Sequence, residues 1–292
     1  MAEAIRADLT GSTCLVTGAS AGIGKASALG LARLGARVIL AVRDPARGEA
    51  ARREIVAATG NAALELAVVD LASQASIRAF ALELGSRISQ LDVLVNNAGV
   101  WLRRRQTSPD GVERTWATNV LGYFLMAELL LPLLRRAGRA RIVNVASELA
   151  GGLDPDDVEY RRRRYEGRAA YAQSKQADRM LTWALARRLA ATGVSANALH
   201  PGFVATEIFG KGGGLLGLLV SLASKLGARS PQQGADTVVY LAASPELDGR
   251  SGGFFVDRRE RRCRFRDQLA EEALWRLCQV MTARGAGPDR LD

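Results

Sequence analysis

Histidine and cysteine are scarce among the 292 residues of this sequence, and their scarcity excludes several kinds of site. The single histidine, His200, rules out a metal site built from several histidine ligands. The three scattered cysteines, Cys14, Cys263 and Cys278, provide neither a disulfide framework nor the CxxC spacing of a metal site. We therefore expect no bound metal and a reducing, cytoplasmic setting.

Apolar runs at the chain ends and aromatic residues are also lacking. Neither end carries the roughly 20 consecutive apolar residues that a membrane-spanning helix needs. Glu3, Arg6 and Asp8 place charges where a signal peptide requires an apolar region. Aromatic residues make up 5% of the chain and are not interleaved with basic residues in a recognisable nucleic-acid-binding module. The sequence thus predicts no integral membrane segment and no nucleic-acid partner.

Positive charge is in excess, with a formal net charge of +10 and a pI of about 10.2. The run Arg161–Arg164 is the most concentrated part of it, and it follows four acidic residues, Asp154, Asp156, Asp157 and Glu159. We interpret this insert as a solvated, partly self-neutralised loop rather than a polyanion site. An anionic cofactor would account for some of the remaining positive charge.

Short β-branched and apolar runs alternate along the chain with longer stretches of helical periodicity. Such alternation is typical of a parallel sheet with helices on both faces, and right-handed crossovers make that sheet doubly wound. We predict an α/β fold with a single seven-stranded domain over residues 1–258 and a C-terminal helical tail over 259–292. The predicted strands are Thr13–Thr17, Arg37–Val42, Leu64–Val69, Val93–Val95, Arg141–Val145, Ser195–Leu199 and Gly253–Val256, and the clearest helices are Ile23–Leu34, Pro45–Ala58 and Ser73–Ile88.

Two irregular segments, Glu148–Arg168 and Phe203–Ser230, follow strands on the side of the sheet where such folds bind ligands. The second segment combines four closely spaced glycines (210, 212, 213 and 214) with an apolar stretch over residues 215–223. Glycines give hinge freedom, so we predict a mobile substrate lid that favours a bulky, apolar substrate. The alternative is a core helix that closes the edge of the sheet.

The first predicted strand leads directly into a glycine-rich turn. Gly18, Gly22 and Gly24 stand there, at the start of a predicted helix. Glycines allow a tight turn and let backbone N–H groups approach a pyrophosphate at the helix N-terminus. The pattern therefore predicts a dinucleotide site, and a purely structural turn is the alternative.

The Gly-x-x-x-Gly-x-Gly spacing resembles the short-chain dehydrogenase/reductase family, and later motifs extend the resemblance over residues 10–258. Within the family, the chain is most similar to the retinol-dehydrogenase-like carbonyl reductases. The features shared with that group are an Arg-Asp pair after strand two, a long insert before the tyrosine and a C-terminal Phe-Val-Asp followed by a helical tail. The later family motifs are Asp70-Leu71, Asn96-Asn97-Ala98-Gly99, Asn119, Ser147, Tyr171-Ala172-Gln173-Ser174-Lys175 and Pro201-Gly202.

This resemblance implies a Rossmann-type fold, a nicotinamide cofactor and a set of site residues. It also implies a homodimer or homotetramer formed through the helices that carry Asn119 and Tyr171. The implied catalytic residues are Asn119, Ser147, Tyr171 and Lys175. The implied cofactor-binding residues are Gly18, Ser20, Gly22, Ile23, Gly24, Arg43, Asp70, Leu71, Asn97, Ala98, Gly99, Tyr171, Lys175, Pro201, Gly202 and Val204.

The chemistry of these residues is also physically reasonable by itself. Tyr171 and Lys175 are four residues apart, so a helix places them on one face. A free tyrosine titrates near pH ~10, and a neighbouring ammonium favours its phenolate. Ser147 can hydrogen-bond a substrate oxygen on which negative charge develops. By resemblance, Lys175 also holds the nicotinamide ribose and Asn119 supports a water relay. The alternative for the Tyr–Lys pair is an ordinary helix-surface contact.

Arg43 bears on the choice of cofactor. An acidic residue at the end of strand two binds the adenosine ribose, whereas an arginine favours a 2′-phosphate. Val42 takes the acidic place here, and Asp44 with Pro45 is typical of the next helix's N-cap and first turn. We therefore favour NADP(H) over NAD(H), although Ala21 stands where some NADP enzymes of the family carry a second basic residue.

Three further features have open interpretations. His200 precedes Pro201-Gly202 and is expected to pack structurally or line the cofactor. Trp101 and the run Arg103–Arg105 could touch substrate or form a solvated loop. The leading hypothesis is an oxidoreductase that transfers hydride between NADP(H) and an apolar small-molecule carbonyl or alcohol. The alternative is a cofactor-binding sensor or scaffold without turnover, which would be free to lose the catalytic side chains.

Overall fold

A computed structural model describes residues 5–204 and 229–283, and their strands form one eight-stranded sheet. The strand order is β3-β2-β1-β4-β5-β6-β7-β8, with neighbours parallel except for β7 and β8. The predicted doubly wound parallel sheet of seven strands is thus confirmed, and β8 is an addition that the sequence analysis missed. The strands are β1 Thr13–Thr17, β2 Arg37–Val42, β3 Leu64–Val68, β4 Val93–Asn96, β5 Ala140–Val145, β6 Val194–His200, β7 Phe254–Val256 and β8 Arg259–Glu260.

Helices cover both faces of the sheet and bury a separate apolar core on each side. Neighbouring residues of a strand point to opposite faces, so Leu15 joins one core while Cys14 and Val16 join the other. Helices α3, α4, α5 and α7 pack on the face of Leu15, and α1, α2 and α6 pack on the opposite face. These helices are α1 Gly22–Arg33, α2 Pro45–Thr59, α3 Gln74–Arg87, α4 Arg114–Arg136, α5 Gly167–Arg188, α6 Pro231–Ala243 and α7 Gln268–Ala283.

Helix α4 has the length and hydropathy of a membrane-spanning helix, but its apolar surface lies largely inside the protein. The most apolar part of α4 is 78% buried. Met126 and Leu130 are completely buried within it, and Phe124 packs edge-on against Trp275 of α7 with 4.8 Å between ring centroids. The apolar side chains of α4 are therefore part of the core that α4 shares with α3 and α5.

The charged insert after β5 folds back on itself. The carboxylate of Asp157 accepts hydrogen bonds from the backbone N–H groups of Arg161 at 2.7 Å and Arg163 at 3.0 Å. The Arg161 side chain pairs with Glu159 at 3.1 Å, and Arg163 pairs with Asp154 at 3.5 Å. Internal pairing of this kind agrees with the interpretation of the arginine run as a partly self-neutralised loop.

The parallel strands end together at one edge of the sheet, where the motifs of the sequence come together. In the register, Asn96 of β4 lies beside Asn144 of β5, and Val145 lies beside Leu199 of β6. The residues that follow these strands therefore meet at the same edge.

Candidate active site

The glycine-rich turn between β1 and α1 forms a cradle for an anion. Gly18 and Gly22 have φ values of 67° and 55°, a backbone region that side chains disfavour. A Cβ at Gly24 would stand 2.4 Å from both Asn97 Nδ2 and the Gly18 carbonyl oxygen. The N-cap residue Ala21 offers no side-chain bond, and the first turn of α1 has no acidic residue. The first N–H groups of α1 are therefore available to a phosphate, as a dinucleotide requires.

Thr17, which the sequence analysis did not select, holds this turn against the end of β4. Its hydroxyl oxygen accepts hydrogen bonds from the backbone N–H groups of Asn97 at 2.9 Å and Ala98 at 3.1 Å. The Asn97 side chain donates in return to the Thr17 carbonyl at 2.9 Å. These bonds join the two strands between which the cofactor is expected to lie. In the sequence, these bonds are indicated only by a hydroxyl residue at the last position of β1.

The remaining cofactor-side residues line the same edge of the sheet. Asp70 Oδ1 accepts a hydrogen bond from the Ala72 N–H at 2.9 Å, and Leu71 is buried against α4. Gly202 has a φ of 86°, so the turn after Pro201 requires glycine's conformational freedom. The other predicted contacts have these positions: Ser20 is half-buried in the glycine-rich turn, Ile23 and Val204 pack around Gly234 of α6, and Gly99 lies near Asn119 and Lys175.

Arg43 follows β2 directly and is exposed. Among the described residues its guanidinium has neither a hydrogen bond nor an ion pair. Asp44 is instead engaged as the N-cap of α2, because its carboxylate accepts from the N–H groups of Ala46 at 3.0 Å and Arg47 at 3.1 Å. Pro45 occupies the first turn of α2. Asp44 is thus committed to the helix, while Arg43 is available to an anionic group.

Asn119 lies in a π-helical turn, Ala117–Leu121, within α4. Its Oδ1 accepts from the Val100 N–H at 2.8 Å, and its Nδ2 donates to the Val100 carbonyl at 3.1 Å and to Ser174 Oγ at 3.0 Å. The fully buried Asn119 thereby connects the loop after β4 with helix α5. π-helical turns inside α-helices are frequent at functional sites, and this one places a polar side chain beside Gly99, which Lys175 also approaches.

Tyr171 and Lys175 lie on one face of α5, at the carboxyl edge of the sheet. The Tyr171 ring is buried and stacks on Trp101 from the loop after β4. The Lys175 ammonium lies 5.8 Å from the centroid of the Tyr171 ring. The Tyr171 hydroxyl has no hydrogen-bond partner among residues 5–204 and 229–283. Within this part of the chain, the hydroxyl is available to bond a substrate oxygen.

Ser147 follows β5 and is half-buried. Its hydroxyl oxygen accepts a hydrogen bond from the Leu149 N–H at 3.2 Å, and its carbonyl accepts one from the guanidinium of Arg179. The Arg179 side chain also lies over the ring of Phe254, 3.9 Å from its centroid. The sequence analysis missed Arg179, because no motif marks its position in α5.

His200 connects the serine loop to the turn after β6. Its Nδ1 accepts hydrogen bonds from the Glu148 N–H at 3.0 Å and the Gly202 N–H at 3.3 Å. Because Nδ1 accepts, Nε2 carries the proton and lies 3.1 Å from the Glu148 carboxylate. Burial lowers the pKa of His200 below its usual range, which favours this neutral form. The observed role is structural, at the cofactor side of the site.

The arginine run after Trp101 shows no hydrogen bond or ion pair with Ser147, Tyr171 or Lys175 in the described part of the chain. Arg103 and Arg104 are exposed, and Arg105 donates a hydrogen bond to the Glu159 carbonyl at 2.9 Å. Most of the predicted lid, residues 205–228, lies outside the described residues. Within the described part of the chain, no three His, Cys, Asp or Glu side chains are grouped as metal ligands.

A family model described as short chain dehydrogenase matches residues 12–212, more than half of the chain. The chain belongs to the short-chain dehydrogenase family. It is therefore a nicotinamide-dependent oxidoreductase of the retinol-dehydrogenase-like type. The matched range contains the glycine-rich turn, Ser147, Tyr171 and Lys175.

Two curated relatives are similar over most of the chain. Retinol dehydrogenase 13 of Homo sapiens is 42% identical over 258 residues, which cover 86% of this chain and 77% of that protein. Polyprenol dehydrogenase of Mus musculus is 40% identical over 287 residues, which cover 95% of this chain and 85% of that protein.

Solved structures agree with the fold. An uncharacterized protein from Mycobacterium Paratuberculosis has a TM-score of 0.76 and 33% identity, covering 95% of each chain. The 3-oxoacyl (acyl-carrier-protein) reductase from Agrobacterium tumefaciens, solved with NADP bound, has a TM-score of 0.69 and 25% identity. That match covers 85% of this chain and 93% of the other.

Proposed function

We propose that this chain transfers hydride between NADP(H) and an apolar carbonyl or alcohol substrate. The observation that carries the proposal is the position of Tyr171 and Lys175 at the carboxyl edge of the sheet, where the Lys175 ammonium bonds the carbonyl of Val145, two residues before Ser147. Among the described residues the Tyr171 hydroxyl has no hydrogen-bond partner, and the buried Lys175 ammonium lies 5.8 Å from the centroid of its ring.

In this arrangement the chain's own residues manage the proton and the developing charge. When bound, the nicotinamide supplies or accepts the hydride. Ser147 donates a hydrogen bond to the substrate oxygen and stabilises the negative charge that develops on it. Tyr171 donates its proton to that oxygen during reduction and removes it during oxidation. Lys175 favours the phenolate that Tyr171 becomes when it gives up its proton.

The exposed guanidinium of Arg43 supports the NADP(H) preference. It has no protein partner among the described residues, and it follows β2, where the adenosine ribose is expected. A 2′-phosphate would give this arginine a charge-assisted, bidentate partner. The NADP held by the Agrobacterium reductase agrees with this assignment.

An apolar substrate is supported by the names of two relatives and by the wall of the site. Retinol and polyprenol are long, largely hydrocarbon alcohols, and the dehydrogenases named for them are 42% and 40% identical to this chain. Trp101, which stacks on Tyr171, offers an aromatic surface beside the catalytic hydroxyl.

We also propose a cytoplasmic setting, a homodimer or homotetramer built through α4 and α5, and a C-terminal segment (259–292) that belongs to the same domain. The last of these is supported by α7, whose Glu271 and Glu272 form ion pairs with Arg187 of α5. Size-exclusion chromatography with light scattering tests the assembly.

The decisive experiment measures turnover by purified enzyme with NADPH or NADP and a panel of aliphatic, polyene and small polar carbonyls and alcohols. We expect turnover that is fastest with the apolar members. Tyr171→Phe should reduce kcat by roughly 10²–10⁴-fold and leave the Kd for NADPH close to that of the wild type, because only a proton donor is lost. Cofactor binding without turnover of any panel member would favour the sensor or scaffold alternative.

A further inference from the structure

Lys175 has an acidic partner on the side opposite Tyr171. Its ammonium donates to the Val145 carbonyl at 2.9 Å and to Asp178 Oδ2 at 2.8 Å. The two charged side chains of this pair are 3% and 0% exposed, so water does not screen them. A lysine has three N–H donors, and two of them are used here.

Asp178 is not fully satisfied by this pair. Its second carboxylate oxygen, Oδ1, has no hydrogen-bond partner in the described part of the chain, and the same is true of the Tyr123 hydroxyl. Both side chains line one small cavity, together with Asn144, Leu181 and Trp275. A buried polar atom without a partner costs roughly 1–3 kcal/mol.

We infer that Asp178 is a positioning residue that acts on Tyr171 through Lys175. Its carboxylate, 2.8 Å from the Lys175 ammonium, offsets part of the positive charge that Tyr171 faces. The inference rests on the proposed function and extends it, because it adds a residue that sets how strongly Lys175 acts on Tyr171.

The other charged and titratable groups around the pair keep one charge state over the range of interest. Burial lowers the pKa of Lys175, but the Asp178 carboxylate and neighbouring tyrosines raise it, and the net effect is upward. Burial raises the pKa of both Tyr123 and Cys278, so both stay protonated. The groups that face the pair are Tyr123 of α4, Tyr171 and Arg179 of α5, and Cys278 of α7.

The test is Asp178→Asn, which removes the charge and keeps an oxygen that can accept from Lys175. At pH values where Lys175 stays protonated, the loss of the counter-charge leaves its positive charge uncompensated, so the phenolate should form at lower pH. The acid limb of the kcat/KM profile for alcohol oxidation and the alkaline limb for carbonyl reduction should both move down by about one pH unit. At a fixed pH on the acid limb, a downward shift of one pH unit raises the oxidation rate about tenfold.

The matched control is Glu271→Gln, which also removes a buried carboxylate, one that pairs with Arg187 at the far side of α5. We expect this control to lower Tm and to leave both limbs in place. Asp178→Ser is a second variant for use if the asparagine variant does not fold, and the same downward shift is expected from it. Unmoved limbs, or limbs that move to higher pH, would overturn the inference.

A substrate-independent measurement separates this inference from the proposed function. Ultraviolet difference titration, with Tyr171→Phe as the reference, follows the Tyr171 phenolate in the free enzyme. Its appearance at lower pH in Asp178→Asn would support the role of Asp178 even if no substrate were turned over. Turnover with an unchanged titration would leave the proposed function intact and remove Asp178 from it.

Discussion

The indole of Trp101 stacks on the phenol ring of Tyr171, with 5.3 Å between ring centroids and 16° between ring planes. The loop after β4 thus covers one face of the proposed acid, while Lys175 lies 5.8 Å from the ring centroid. Two neighbours fix the ring, and neither of them takes its hydroxyl as a hydrogen-bond partner. The orientation of the proton donor is therefore set by side chains from two different elements.

Replacing Trp101 with leucine should lower kcat because the Tyr171 ring gains freedom to turn. An aromatic pair contributes about 0.5–1.5 kcal/mol beyond its buried area, which corresponds to a two- to tenfold loss of kcat. The Kd for NADPH should change little, since the interaction that the substitution removes is the stacking on Tyr171. Trp101→Phe is the control and should retain most of the activity. Equal kcat values for the leucine and phenylalanine variants would show that stacking does not orient Tyr171.

Arg179→Met should lower kcat more than it raises KM, because the carbonyl of Ser147 loses its donor and the serine loop shifts. A hydrogen bond from a charged group is worth roughly 1.5–3 kcal/mol, so a loss of 10- to 100-fold in kcat is expected. Arg188→Met is the matched control, because Arg188 also stacks on an aromatic ring, Trp275, at the other end of α5. Similar kinetic losses in both variants would mean that the effect is a general one on α5.

Arg43→Leu should weaken the binding of NADPH far more than that of NADH. Only NADPH carries the 2′-phosphate, and a charge-assisted hydrogen bond of about 1.5–3 kcal/mol shifts the preference roughly 10- to 100-fold. Fluorescence titration with both cofactors measures the shift. Arg53→Leu, an exposed position on α2, is the control and should not change the ratio. Equal losses for the two cofactors would remove Arg43 from phosphate recognition.

Gly24→Ala should reduce the affinity for NADPH and NADH alike and destabilise the protein by about 1–3 kcal/mol, because a Cβ cannot be accommodated there without displacing the turn. Gly85→Ala is the matched control, since a Cβ at that helical position meets no atom within 4 Å. It should stabilise α3 by up to about 1 kcal/mol. Urea unfolding and cofactor titration measure both effects. A stable Gly24→Ala variant with normal cofactor affinity would contradict the assignment of the cradle.

The central strands were predictable because their residue types indicate that they are buried. Thr13–Thr17 and Arg37–Val42 have the predicted bounds, since short runs of apolar and β-branched residues are typical of a strand covered on both faces. β8 could not be predicted from composition, because Arg259 and Glu260 are polar and exposed. Its pairing depends on a chain reversal at Asp257 and Arg258, whose φ values are 52° and 62°.

The site divides in the same way. Ser147, Tyr171 and Lys175 were found because the spacing of a family motif marks them. Asp178 and Arg179 lie later in the same helix and carry no such mark, since any helix with this periodicity presents residues at these positions. Their partners, Lys175 and the carbonyl of Ser147, are defined only by how α5 lies against the end of β5.

The short return of β8 onto β7 has a consequence for how copies of this protein can associate. An uncovered outer strand offers its backbone amides to any extended chain, including the same strand of a neighbour. Here Phe255 and Val256 of β7 already pair with Glu260 and Arg259 of β8, so the protein's own chain occupies the edge of β7 at this margin of the sheet. The two residues that face outward carry opposite charges and are too few to template a further strand. An outer strand this short and charged disfavours side-by-side fusion of sheets across this margin.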